Sequence, residues 1–150
     1  MVRDARGRLW EELDRILAAS HRMPVADVPE QVASAVRAVG GDAVIHVVDL
    51  EQRVLVPLRG GEHVIDIDGS IAGRAYRSGT DQRTAGADGD VMWIPMLDGA
   101  DRHGVVRVDL PPDADGIEPA LRSLVTIAAE LIVSKSKIAT ASRDRVDGRT

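Results

Sequence analysis

The sequence predicts an α+β fold: a central antiparallel sheet of five to six strands, helices from the two chain ends on one face, and a small helix and a loop over the other. Two observations carry this reading. Apolar residues recur at helical spacing near both ends of the chain, and the middle is filled by short apolar strands joined by short turns. A chain of 150 residues, 44% apolar and 29% charged, suits one domain around one core. With no Phe, one Tyr and two Trp, that core is aliphatic, and each aromatic side chain is informative.

The first helix is read from Leu9, Leu13, Ile16 and Leu17, with Trp10 beside Leu9 and charged residues between them. It stops near Met23-Pro24, because proline disfavours helix at the preceding residue. A second helix carries Pro29 in its first turn and the stripe Val32, Val36, Val39, and Gly40-Gly41 end it. Residues 43–50 form an apolar run broken only by His46 and Asp49, which suits a strand covered on both faces. Residues 53–58 pair with it through the turn at Glu51-Gln52, and residues 63–67 are a weaker third strand. A turn at Asp68-Gly69-Ser70 leads into a short helix over residues 71–78, closed by Gly79. The polar, glycine-containing residues 80–90 read as a mobile loop. Residues 91–97 and 103–110 are strands. In the second, Val106, Val108 and Leu110 share one face, while Val105, Arg107 and Asp109 share the other. The last helix begins near Gly116, and its stripe runs through Ile117, Leu121, Leu124, Ala128, Leu131, Lys135 and Ile138. The domain is therefore drawn over residues 1–138. Residues 139–150 read as a polar tail or the start of a linker, cut from a longer chain.

Composition excludes several functions. Without cysteine there is no disulfide, thiolate metal site or cysteine nucleophile. His21, His46, His63 and His103 are too dispersed for zinc-ligand spacing, so no metal or other cofactor is expected. A net charge of −5 argues against a nucleic-acid surface. No apolar run approaches the roughly 20 residues of a membrane span. Arg3, Arg6 and Arg8 are not followed by a signal-peptide core, so a cytoplasmic location is expected. No G-x-S-x-G elbow or Walker-type loop occurs, and Asp66, Asp68 and Gly69 lack the further carboxylates of a calcium loop.

Two segments carry a family resemblance. Residues 69–79, from Gly69 through Gly73 to Gly79, resemble the small helix of GAF domains. Val91-Met92-Trp93-Ile94-Pro95-Met96-Leu97-Asp98-Gly99, answered by His103-Gly104-Val105-Val106-Arg107-Val108, is similar to that family's final hairpin. Leu131-Ile132-Val133-Ser134-Lys135 resembles the helix end of GAF modules in actinobacterial regulators, many of which precede a SpoIIE-like serine/threonine phosphatase domain. The resemblance implies a sensor module whose ligand lies on the sheet face beneath the small helix.

Within that frame Trp93 and Tyr76 are candidate ligand-binding residues, each offering a flat apolar wall with a polar tip; core packing is the plain alternative for Trp93. His46 faces the ligand, ligates haem iron, or is a core histidine bonded to a carbonyl. Arg74, like Arg77, reaches an anionic ligand or lies solvated on the surface. A covalent bilin needs a cysteine, and the cyclic-nucleotide signature needs a Phe, so neither chemistry applies.

The expected function is a non-catalytic sensor that binds an unknown small molecule or partner and signals through its C-terminal helix to an effector domain. A homodimer through the terminal helices is expected, because the last stripe is longer than one small domain covers. The alternative is a dimerisation or docking scaffold that binds no ligand. Enzymes of this fold such as the methionine-sulfoxide reductases resemble one another in catalytic cysteines, which this chain lacks.

Overall fold

Helix α1, Ala5–Ala19, opens where the Asp4 carboxylate accepts the Gly7 N–H at 2.6 Å, a side-chain cap for one of the helix's unpaired amides. The computed structural model describes residues 4–112 and 114–147, with side chains given as far as residue 136. Leu9, Leu13 and Ile16 are the buried face of α1, as their spacing predicts. Two 3₁₀ turns, Ser20–Arg22 and Val25–Asp27, flank Pro24 and lead into α2, Val28–Arg37, with Pro29 in its first turn. Gly40, at φ +94°, turns the chain towards the sheet.

The sheet comprises β1 (Asp42–Val48), β2 (Val54–Pro57), β3 (Ile65–Asp66), β4 (Gln82–Gly86), β5 (Gly89–Asp98) and β6 (Asp101–Asp109). Its spatial order is β3-β2-β1-β6-β5-β4, and every neighbouring pair is antiparallel. The predicted hairpin between β1 and β2 is present. Asp49 fastens its turn by accepting the Arg53 and Val54 amides at 2.8 and 3.0 Å. Between β3 and β4 lies α3, Ile71–Ser78, and α4, Glu118–Asp147, follows the sheet.

Alternation along the strands separates two layers. Ala43, Ile45, Met92, Ile94, Met96, Val106 and Val108 face the main core, which α1, α2 and α4 close. Leu55 and Val105 face the opposite way and join Ile67, Ala72, Ala75 and Tyr76 beneath α3. The predicted α+β arrangement, with terminal helices on one face and the small helix on the other, is the observed one.

Three expectations change. Residues 80–90 are not a loop: β4 pairs with β5 from Gln82–Trp93 to Gly86–Gly89 around a two-residue turn, Ala87-Asp88. Polarity misled here because an edge strand needs no apolar outer face, and β4 is held by backbone pairing and by Arg83 bonding Asp90 at 2.9 Å. The sheet's second face is therefore covered by α3, with Glu62 of the 58–64 segment reaching Arg107 beside it, and not by residues 80–90. The third strand shrinks to two residues. Finally, α4 passes the expected end of its stripe and continues to Asp147. No glycine or proline interrupts residues 120–147, so the sequence supplies no breaker where the apolar pattern fails. The side chain of Ile138 and residues 148–150 lie outside the described residues.

Pro95 lies past the last β4 pair, where β5 has a free side and the missing N–H costs least.

Candidate functional site

The site is built on the face that α3 covers. The helix is held close to the sheet by two local devices. Ser70 caps its start by accepting the Gly73 N–H at 2.9 Å, and Gly79 closes it at φ +69°, a left-handed exit that glycine takes without strain. A side chain at residue 73 would sit 1.7 Å from the Ile67 carbonyl oxygen, so only glycine permits this approach. Tyr76 is thereby pressed into the layer at 5% exposure, and its hydroxyl donates to Gln52 Oε1 at 3.1 Å. Gln52 itself holds φ +56°, an unusual conformation for a residue with a side chain. Tyr76 also borders a groove of about 570 Å³ between the β1–β2 turn and the β5–β6 turn, with His103 across from it.

His46, on β1 opposite Val105 of β6, is 1% exposed. Its Nδ1 lies 3.3 Å from the Val44 carbonyl oxygen, so the tautomer with the proton on Nδ1 donates there. Burial pushes the imidazole below its ordinary value of 6.5, and the Arg107 guanidinium pushes the same way; the Val44 carbonyl and the Glu62 carboxylate oppose them. At that burial the ring has no open side for a haem. Trp93 is half-buried on β5, on the far side of β6 from β1, its ring centroid 6.3 Å from that of His46 and tilted by 56°.

Of the four residues expected to bind ligand, His46, Trp93 and Tyr76 share this layer. Arg74 does not. It is exposed on the outer side of α3, beside Arg77 and Ser70 in a shallow depression of about 460 Å³. Residues 72, 73, 75 and 76 face the sheet, which turns position 74 away.

The sequence reading passed over the ionic cluster beside them. Arg107 of β6 stands directly opposite Trp93 on one side and Val44 on the other. Its Nη1 lies 3.4 Å from Glu62, and its buried Nε has no hydrogen bond among the described residues, with Asp109 at 3.5 Å. Arg59 grips Asp42 through two bonds of 2.8 and 2.9 Å and holds the Asp42 carboxyl below its ordinary 3.8. The available signal was alternation: Arg107 shares its face with Val105, which puts a cation on a covered face. No group of three or more His, Asp or Glu side chains is placed to hold a metal among the described residues, and no described helix is long and apolar enough to cross a membrane.

No protein-family model and no curated protein matches the sequence. Solved structures do match in shape. The GAF domain of an Acinetobacter phosphoenolpyruvate-protein phosphotransferase superposes with a TM-score of 0.69 at 16% identity, covering 88% of this chain and 97% of that one. The GAF domain of the Escherichia coli potassium-sensor histidine kinase gives 0.64 at 18% identity, over 87% of this chain and 96% of that one. The free methionine-R-sulfoxide reductase of Neisseria meningitidis, solved with its substrate, gives 0.70 at 15% identity, over 92% of this chain and 96% of that one. The chain has the GAF-domain fold.

Proposed function

We propose that this chain is a non-catalytic sensor module: a small molecule binds the α3-covered face, and α4 carries the response to an effector. One observation supports this most. Strands β5 and β6 present Trp93 and Arg107 to the covered face, and the alternate residues Met92, Ile94, Val106 and Val108 to the core that α4 closes. A displacement of the first set is felt by α4 across the thickness of one sheet. His46, Trp93 and Tyr76 form the proposed site, with Arg107 added and Arg74 left on the outer surface.

In the same reading the module pairs with a second copy through its terminal helices. Trp10 and Leu17 lie on one side of α1, 39% and 50% exposed, and Leu131 and Ile132 of α4 are only partly covered by the chain's own core. The effector is a further domain of the SpoIIE-like phosphatase kind, on the likeness of residues 131–135 to modules that precede one. The setting is cytoplasmic.

The competing reading, a scaffold that binds nothing, draws on one observation of its own: His46 and Tyr76 are so buried that side chains fill much of the face. Catalysis like that of the methionine-sulfoxide reductase is disfavoured by the lack of any cysteine.

A native mass spectrum of freshly purified protein, recorded gently and then with collisional activation, separates these. The sensor predicts a dimer carrying a small molecule that leaves on activation, with Leu17→Glu shifting the protein to monomer. A dimer with no added mass selects the scaffold. A bare monomer removes the helix-pairing reading.

A further inference from the structure

We propose that Arg107 anchors a site for a small, singly charged carboxylate with a flat apolar body, and that Glu62 occupies the carboxylate position as an internal stand-in. The inference rests on the reading of the α3-covered face as a ligand face, and adds the chemistry of the ligand.

The two arginines of the cluster differ in how they are used. Arg59 has short bonds to both Asp42 oxygens and a third, of 2.9 Å, to the Ala43 carbonyl. Arg107, only 24% exposed, has nothing comparable: Glu62 is at 3.4 Å, and the buried Nε has no hydrogen bond among the described residues, only the Asp109 carboxylate at 3.5 Å. Charge-assisted bonds of this type settle at about 2.7–2.9 Å, so the Arg107 fork is under-used. A guanidinium brought onto a covered face purely for stability would be expected to have its donors satisfied, since an unsatisfied buried donor is costly.

Glu62 is held by a thin segment. No atom lies within 4 Å of where a Cβ on Gly60 or Gly61 would stand, and Leu58 and Val64 are 39% and 54% exposed. Leu58 and Arg59 fix the start of the segment, through the Ile45 carbonyl and through Asp42 and Ala43, and Glu62 reaches Arg59 only at 3.9 Å, so residues 60–64 can swing about that anchor with few apolar contacts to lose. What it would uncover is a planar donor fork flanked by the Trp93 indole and Val44, with the His46 ring on the adjacent row. The fork takes a carboxylate, and the indole takes a flat apolar ring. Asp109 and Asp42 remain close by and oppose a dianion, which favours a carboxylate over a phosphate.

Benzoate is the probe, and Trp93 the reporter once Trp10→Phe leaves it as the sole tryptophan. In that background benzoate is expected to change Trp93 emission saturably. Glu62→Gln should tighten binding about tenfold, equivalent to about 1.4 kcal/mol. Arg107→Gln should abolish the response, and neutral benzamide should give none. The proposal is overturned if the folded Glu62→Gln protein shows no saturable response, if benzamide or inorganic phosphate matches benzoate, or if Arg107→Gln leaves the response intact. Should Glu62→Gln fail to fold by circular dichroism, the Trp10→Phe protein alone decides between response and none. A Trp93 response with α4 unchanged keeps the site and removes the sensor reading. No response from a protein that carries another ligand in the native spectrum does the reverse.

Discussion

Gly73 carries more of this architecture than its size suggests. Its missing side chain lets α3 settle onto the Ile67 backbone, and that contact fixes how far Tyr76 reaches into the layer. Gly73→Ala forces backbone apart rather than a flexible side-chain tip, so a loss of about 1–3 kcal/mol in urea unfolding is expected. His46 gives a second prediction, in pH. The folded imidazole titrates below its ordinary 6.5, so between the two values the unfolded chain binds more protons. Stability is complete above 6.5, falls as the pH drops from 6.5 towards the folded value, and levels off beneath it. Thermal melts should show this loss in the wild type and not in His46→Gln. Below 3.8 both should lose the further contribution of Asp42, whose carboxyl is held low by Arg59. The α3 helix with Gly73 and its Gly79 exit was legible in the sequence, because helix spacing and glycine placement encode it locally; Tyr76 was read there as a ligand-binding residue, and the structure buries it. Arg107 and Glu62 were not legible, because they lie 45 residues apart and only the β6 register and the 58–64 segment bring them together.

Among the elements, the strands that bury apolar side chains were the readable ones. β1, β5 and β6 alternate or run apolar, and the structure places them in the middle of the sheet with both faces covered. β4 escaped because its sequence, Gln82–Gly86, is polar, and what makes it a strand is the backbone of β5. Hydrogen–deuterium exchange checks this directly. Alternate amides of residues 82–86, those directed at β5, should be protected, and the intervening ones should exchange freely. Uniformly fast exchange across the segment would restore the loop. The far part of α4 escaped for another reason: its apolar stripe lapses, yet no glycine or proline breaks the helix before Gly148.

In the molecule as a whole, one sheet separates two unlike layers. One is a large aliphatic core shared by α1, α2 and α4; the other is a thinner layer on the face that α3 packs against, where Trp93 stands beside the buried His46 and opposite the loosely paired Arg107. Burial in the first supplies the stability, at about 1.5–3 kcal/mol for each fully buried Leu or Ile. The second is the layer that has room to change, because residues 60–64 make few apolar contacts and Glu62 holds Arg107 only at 3.4 Å. In the proposed sensor, occupation of the second layer alters α4. Amide hydrogen exchange along residues 118–136, recorded with and without a ligand whose occupancy Trp93 emission confirms, tests it most directly. Saturation at Trp93 is expected to change protection in α4, first at the residues packed on β5. A Trp93 signal that saturates while exchange throughout α4 stays the same would contradict it.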